Sequence, residues 1–107
     1  MLHKLTADNI EGLLGFSLVV FWQPGCEPCK AAKEIAKYFA STGRIVYMCN
    51  AKEEHALKKR YNITVTPTVL LLEDTVESGR VEGAQGSLEP YMEMLEESVT
   101  HEQEKNS

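Results

Sequence analysis

Apolar and polar positions along the chain follow two alternating periods. The run Leu18-Val-Val-Phe-Trp22 is continuous, apolar and rich in β-branched residues, the signature of a strand buried on both faces. After it the period lengthens. Ala32, Ile35, Ala36 and Phe39 fall at i, i+3, i+4 and i+7, with Lys30, Lys33, Glu34 and Lys37 on the opposite side, which predicts an amphipathic helix closed by Ser41-Thr-Gly43. Arg44 to Cys49 predicts a second apolar strand, and a short helix is expected near Glu53–Arg60. Thr66 to Leu72 is a third strong strand with Pro67 near its start, and Val76 to Glu82 is weaker because Ser78 and Gly79 interrupt it. Ahead of all these, residues 2–5 suit a short edge strand. Thr6 is placed to cap a helix that turns Ile10, Leu13 and Leu14 inward until Gly15 stops it. The last helix is expected to be capped by Ser87, with Pro90 in its first turn and Leu88, Tyr91, Met92, Leu95 and Val99 as its inward stripe.

The predicted order is β-α-β-α-β-α-β-β-α, an α/β class. Helical crossovers imply parallel pairing of the early strands, and the closing hairpin implies antiparallel pairing. The result is a mixed central sheet with helices on both faces. At 107 residues the chain suits one domain with a real core, taken here as residues 1–99, with a polar tail over 100–107 expected to fray.

Composition, 43% hydrophobic and 25% charged, is ordinary for a globular protein. A formal charge of −5 argues against a nucleic-acid partner, which needs a basic face. The first residues lack an apolar segment of signal-peptide length, and the apolar runs are strand-sized, so a cytoplasmic monomer with no membrane partner is expected. Three cysteines form an odd set that suits a disulfide framework poorly.

Chemistry concentrates in W-Q-P-G-C-E-P-C-K, Trp22 to Lys30, at the C-terminal end of a strand and the start of a helix. Unpaired N–H groups and the helix dipole favour an anion there, so a cysteine at this point is biased toward thiolate, the nucleophile of disulfide exchange. Cys26, the earlier position, takes the attacking role; Cys29, one turn inside, resolves the mixed disulfide. Pro28 fits a helical first turn, where no hydrogen bond is lost. Zinc is the rival. It needs four ligands, and Cys26 and Cys29 have no second C-x-x-C or paired histidine to join them. Cys49, on a buried strand, suits a small core residue, and His3, His55 and His101 suit the surface. No metal and no organic cofactor are expected, the redox-active group being the Cys26–Cys29 disulfide itself.

The chain resembles the thioredoxin family in V-V-F-W followed by C-E-P-C-K, then Y-N-I-T-V-T-P-T, then V-E-G-A after the hairpin. The pieces occur in the family's order and cover almost the whole chain. The resemblance implies the thioredoxin fold and a cis bond before Pro67 that turns the Thr66 backbone toward the cysteines, where it can pair with a substrate strand. It also implies that Gly83 lines the same groove and that Trp22 packs beneath the active-site loop. The chain departs from the pattern at several places. Gly25, preceded by Pro24, replaces the usual tryptophan and leaves a smaller rim; Glu27 replaces a glycine and puts a carboxylate near Cys26 that opposes thiolate formation. Val20 and Met48 occupy the places of a buried acid and its lysine partner, and Glu34 that of a kinking proline.

The function this implies is a disulfide reductase acting on disulfide-containing proteins and recycled by a reductase such as thioredoxin reductase. The altered rim and missing acid–lysine pair allow an alternative, a binding module with little turnover. A glutaredoxin-like, glutathione-dependent reductase ranks below both, because the N-terminal β-α unit is thioredoxin-sized and no aromatic lies between the cysteines.

Overall fold

A computed structural model of the chain describes residues 2–96. In chain order it holds β1 (Leu2–Lys4), a single 3-10 turn (Ile10–Gly12), β2 (Phe16–Trp22), α1 (Pro28–Ser41), β3 (Val46–Asn50), α2 (His55–Arg60), β4 (Thr68–Glu73) and β5 (Val76–Glu82). A final helix, α3, occupies residues 89–96. The five strands are ordered β1-β3-β2-β4-β5. β1, β3 and β2 run parallel, whereas β4 is antiparallel to β2 and β5 to β4. This is the mixed sheet that crossover helices and a terminal hairpin dictate.

The central strands show why their apolar runs are unbroken. Val19 and Phe21 of β2 with Leu70 and Leu72 of β4 face one side, packing on Ile10, Leu13, Leu57, Tyr61 and Ile63. Leu18 and Val20 with Val69 and Leu71 face the other, packing on Ala32, Ala36 and Phe39 of α1 and on Tyr91, Met94 and Leu95 of α3. Side chains alternate between faces with period two, so a strand covered on both sides must be apolar at every position. Each such Val, Leu or Phe contributes about 1.5–3 kcal/mol by leaving water, which makes β2 and β4 the spine of the domain.

Two expectations need correction. The first helix shrinks to the 3-10 turn Ile10–Gly12; Ile10 and Leu13 are buried but Leu14 is 81% exposed. Local polar side chains take over the backbone there. Thr6 N–H donates to Asn9 Oδ1 at 2.9 Å, Asn9 Nδ2 donates to the Lys4 carbonyl at 2.8 Å, and Asp8 N–H donates to Thr6 Oγ1 at 3.2 Å. Leu13 is already extended, so Leu14 turns to the opposite side from it. On α3, Met94 is buried where Met92 was expected, and Met92 is 41% exposed. Gly79 of β5 explains this and the weak strand signal together, for a Cβ built on it would lie 2.5 Å from Met94 Cγ and 3.0 Å from Met94 Sδ. The missing side chain on the strand is the seat for the methionine on the helix. Val99 and the tail 100–107 lie outside the described residues.

Cys49 is fully buried in the face that carries Val19 and Phe21. Burial, and secondarily the Glu54 charge, push its thiol from an ordinary 9.0 up to about 12. A raised acid pKa favours the fold while the thiol stays protonated; the contribution is complete below about pH 8.5 and is lost as pH climbs toward the folded value.

Three predictions follow from this packing. Gly79→Ala is expected to lower stability by about 1–3 kcal/mol in urea titration, with a smaller loss in a Met94→Ala background because the two sites share one space. In the reduced protein at pH 8, a thiol reagent is expected to titrate Cys26 and Cys29 in the native state and Cys49 only after unfolding. The oxidised protein is expected to lose stability above pH 9, less steeply in Cys49→Ala.

Candidate active site

The β2 strand ends at Trp22, and the chain turns through Gln23-Pro24-Gly25 into α1. Gly25 has φ +80°, a left-handed conformation that glycine adopts without cost, and the Cys26 N–H closes the turn on the Gln23 carbonyl at 3.4 Å. Gly25 therefore serves the backbone as well as opening the rim. Pro28 stands in the first turn of α1, and Cys29 N–H donates to the Cys26 carbonyl at 3.2 Å. Cys26 and Cys29 are joined by a disulfide, with Cα atoms 5.3 Å apart. Cys26 is partly exposed and Cys29 is buried. Cys26 is thus the sulfur within reach of solvent, and Cys29 the one behind it.

Facing Cys26 across the sheet is the segment that enters β4. The Thr66–Pro67 peptide bond is cis. The Thr66 carbonyl oxygen and its hydroxyl oxygen each lie 3.6 Å from Cys26 Sγ, although 40 residues separate the two in sequence. Several bonds fix this segment. Gly83 N–H donates to the Pro67 carbonyl at 2.8 Å, and Thr68 Oγ1 to the Val65 carbonyl at 2.7 Å. Arg80 of β5, paired with Glu77 and Glu82, donates to the carbonyls of Tyr61 and Asn62 just upstream. Hydrogen bonding to Glu77 raises the Arg80 pKa further, so this clip is charged at every accessible pH.

A cavity of about 360 Å³ opens on the other flank of Cys26, lined by Trp22, Pro24, Gly25, Cys29, Lys30, Lys33 and Met48 among others. Of the residues singled out in the sequence, Trp22, Gly25, Cys26 and Cys29 share one cavity, Thr66 lies beside Cys26 Sγ with Gly83 bonded to the following Pro67, and Pro28 stands at the helix start. Val20 and Met48 are register neighbours on β2 and β3, Val20 in the core and Met48 half-buried, so the ground beside the cysteine pair is apolar.

The Glu27 carboxylate is largely in solvent and is paired with Lys30 Nζ at 3.2 Å. Sequence reasoning also passed over three features. The Thr66 hydroxyl was not assigned, Val65 next to it is 46% exposed, and Lys33 was read only as part of a solvated helix face. The K-A-A-K spacing, which places Lys30 and Lys33 on one side of α1 beside Cys29, was the available signal. Among the described residues, no group of three or more His, Cys, Asp or Glu is placed to hold a metal ion, and no helix is long and apolar enough to cross a membrane.

The Thioredoxin family profile matches residues 7–95. The chain belongs to the thioredoxin family. Among curated proteins it is similar to a chloroplastic M-type thioredoxin of Spinacia oleracea, 36% identical over 72 residues, or 63% of this chain and 39% of that protein. The chain therefore aligns with less than half the length of that relative. The fold is similar to a crystal structure of a reduced thioredoxin pre-protein of Schistosoma mansoni, with TM-score 0.76 and 21% identity over 90% of this chain and 96% of that one. It is also similar to a thioredoxin of Malassezia sympodialis, with TM-score 0.77 and 17% identity over 92% and 90% of the two chains. The α/β sheet with helices on both faces is the thioredoxin fold, and the Cys-x-x-Cys pair stands at disulfide distance within it.

When the disulfide is reduced, a hydroxyl placed as that of Thr66 can donate to a Cys26 thiolate but gains nothing comparable from a thiol, so it favours the anion. Thr66→Val, which keeps the shape and removes the donor, is expected to raise the Cys26 pKa by about half to one unit, read from ultraviolet thiolate absorbance against pH. An unchanged value means that the hydroxyl is spent elsewhere.

Proposed function

We propose that the protein is a thiol–disulfide oxidoreductase that reduces disulfides in other proteins. The observation that carries the reading is the asymmetric pair: Cys26 partly exposed beside Thr66 and cis-Pro67, Cys29 buried one turn into α1. In the reduced enzyme the Cys26 thiolate attacks one sulfur of a substrate disulfide. A Cys26–substrate disulfide forms and the substrate's other sulfur leaves as a thiolate. Cys29, deprotonated, then attacks Cys26 Sγ, the second substrate thiolate leaves, and the Cys26–Cys29 disulfide holds the two electrons' worth of oxidation. Thr66 lies beside the reacting sulfur and, with Gly83 bonded to the adjoining Pro67, offers backbone to an extended substrate segment. A reductase of the thioredoxin reductase kind returns the pair to dithiol, and a reducing, cytoplasmic setting suits a chain that keeps a third, buried thiol free.

Insulin reduction driven by dithiothreitol tests this. Wild type is expected to accelerate insulin precipitation, Cys26→Ser to fall to the rate of dithiothreitol alone, and Cys29→Ser to accumulate a mixed disulfide visible on a non-reducing gel. Wild type no faster than Cys26→Ser sinks the reading. Val20 and Met48 favour one alternative, a binding module, since neither can move a proton at Cys29. That alternative expects negligible turnover and a partner retained when both cysteines are serine.

A further inference from the structure

Three lysines lie along one side of α1, the first two beside the cysteine pair, and two of the three are already engaged. Lys30 pairs with Glu27 and Lys37 with Glu34, each at 3.2 Å. Lys33, between them, has no carboxylate partner among the described residues, and it lines the cavity that contains Cys26. Lys30 lines the same cavity, its ion pair lying largely in solvent, where such pairs are weak and easily exchanged. The walls contributed by Trp22, Pro24 and Met48 are apolar. The space is at the small end of ligand-sized pockets, which run from about 300 to 1,000 Å³. It has an apolar wall, two lysine side chains in its lining and a reactive sulfur.

We infer that this cavity selects protein disulfides in which an acidic side chain flanks the cysteine that Cys26 attacks, with Lys33 as the specificity-determining residue. This rests on the oxidoreductase reading and deepens it. Aliphatic carbons of a glutamate suit the wall of Trp22 and Met48, while its carboxylate meets Lys33 and competes for Lys30. Cys26 lines this cavity and also touches Thr66, whose neighbour Val65 is exposed. An occupant that spans both flanks is an extended polypeptide rather than a lone small thiol. With a net charge of −5 over the chain, the lysines are a local exception, so discrimination acts at contact range and is screened by salt.

The experiment uses three synthetic peptide disulfides with glutamate, glutamine or lysine on either side of the cysteine. Single-turnover reduction by the reduced full-length protein is followed at low and high salt for wild type, Lys33→Gln, Lys33→Glu and Lys59→Glu. Lys59, an exposed residue of α2 outside the cavity, controls for net charge. In parallel, S-methylated peptides are titrated against the Cys26→Ser/Cys29→Ser protein, with and without Lys33→Glu, using fluorescence of Trp22, the sole tryptophan and part of the cavity wall. The expected order is glutamate over glutamine over lysine, about five- to tenfold end to end at low salt. It should shrink at high salt, halve in Lys33→Gln, vanish in Lys33→Glu and persist in Lys59→Glu. Equal rates for the three peptides, or an order that survives Lys33→Glu, overturns the inference and leaves the reductase reading standing. No turnover with the binding order intact overturns the reductase reading and keeps the acidic preference. No turnover and no binding order overturns both.

Discussion

Antiparallel pairing of β2 with β4 is the interaction on which the site depends. β2 delivers the chain to Cys26 at one end of the sheet, and β4 begins beside that same end, with Phe21 opposite Thr68. Residues 40 apart in sequence are thereby held with Thr66 oxygens 3.6 Å from a cysteine sulfur. A slip of one residue would turn Val69 and Leu71 from the α1 face to the α2 face and Leu70 and Leu72 the other way. Every core side chain on β4 votes for the register that places cis-Pro67 against the disulfide. Fold stability and site geometry are the same set of contacts.

Around that register the remaining elements act as clamps. Asp74, at the β4–β5 turn with φ +58°, accepts Gly15 N–H on its carboxylate at 2.8 Å and donates its own N–H to the Gly15 carbonyl at 2.7 Å, tying the hairpin to the entry of β2. Arg80 ties β5 to the loop before Thr66, and Gly79 lets α3 settle on the hairpin through Met94. These contacts lie away from the cysteines and leave them free to change partners. The cysteine pair sits on a turn and a helix start at the end of the central strand β2.

The site itself divides by polarity. Cys29 and Met48 line one cavity, while Cys26 meets the Thr66 oxygens on one flank and that lysine-lined cavity on the other. Glu27 pairs with Lys30 in solvent, whereas Lys33, on the cavity that Cys26 also lines, has no carboxylate partner among the described residues.

Local pattern alone determined the elements whose partners are nearest. The unbroken apolar run of β2, the four-residue periodicity of α1 and the cysteines at their junction need only backbone geometry and solvent to be understood. The T-P-T segment, through family resemblance, made the cis bond an expectation. Where local signals competed, the pattern misled. Asn9 and Thr6 captured the backbone that Ile10 and Leu13 would have wound into a helix, and Leu14 turned outward. What only the tertiary structure decided were relations between distant residues. Met94 is core because Gly79, on another element, vacates the space, and Lys33 belongs to the site because Met48 and Trp22 close a cavity beneath it. A side chain's period says which way it points along its own element. What it meets there depends on register and packing, which no single segment contains.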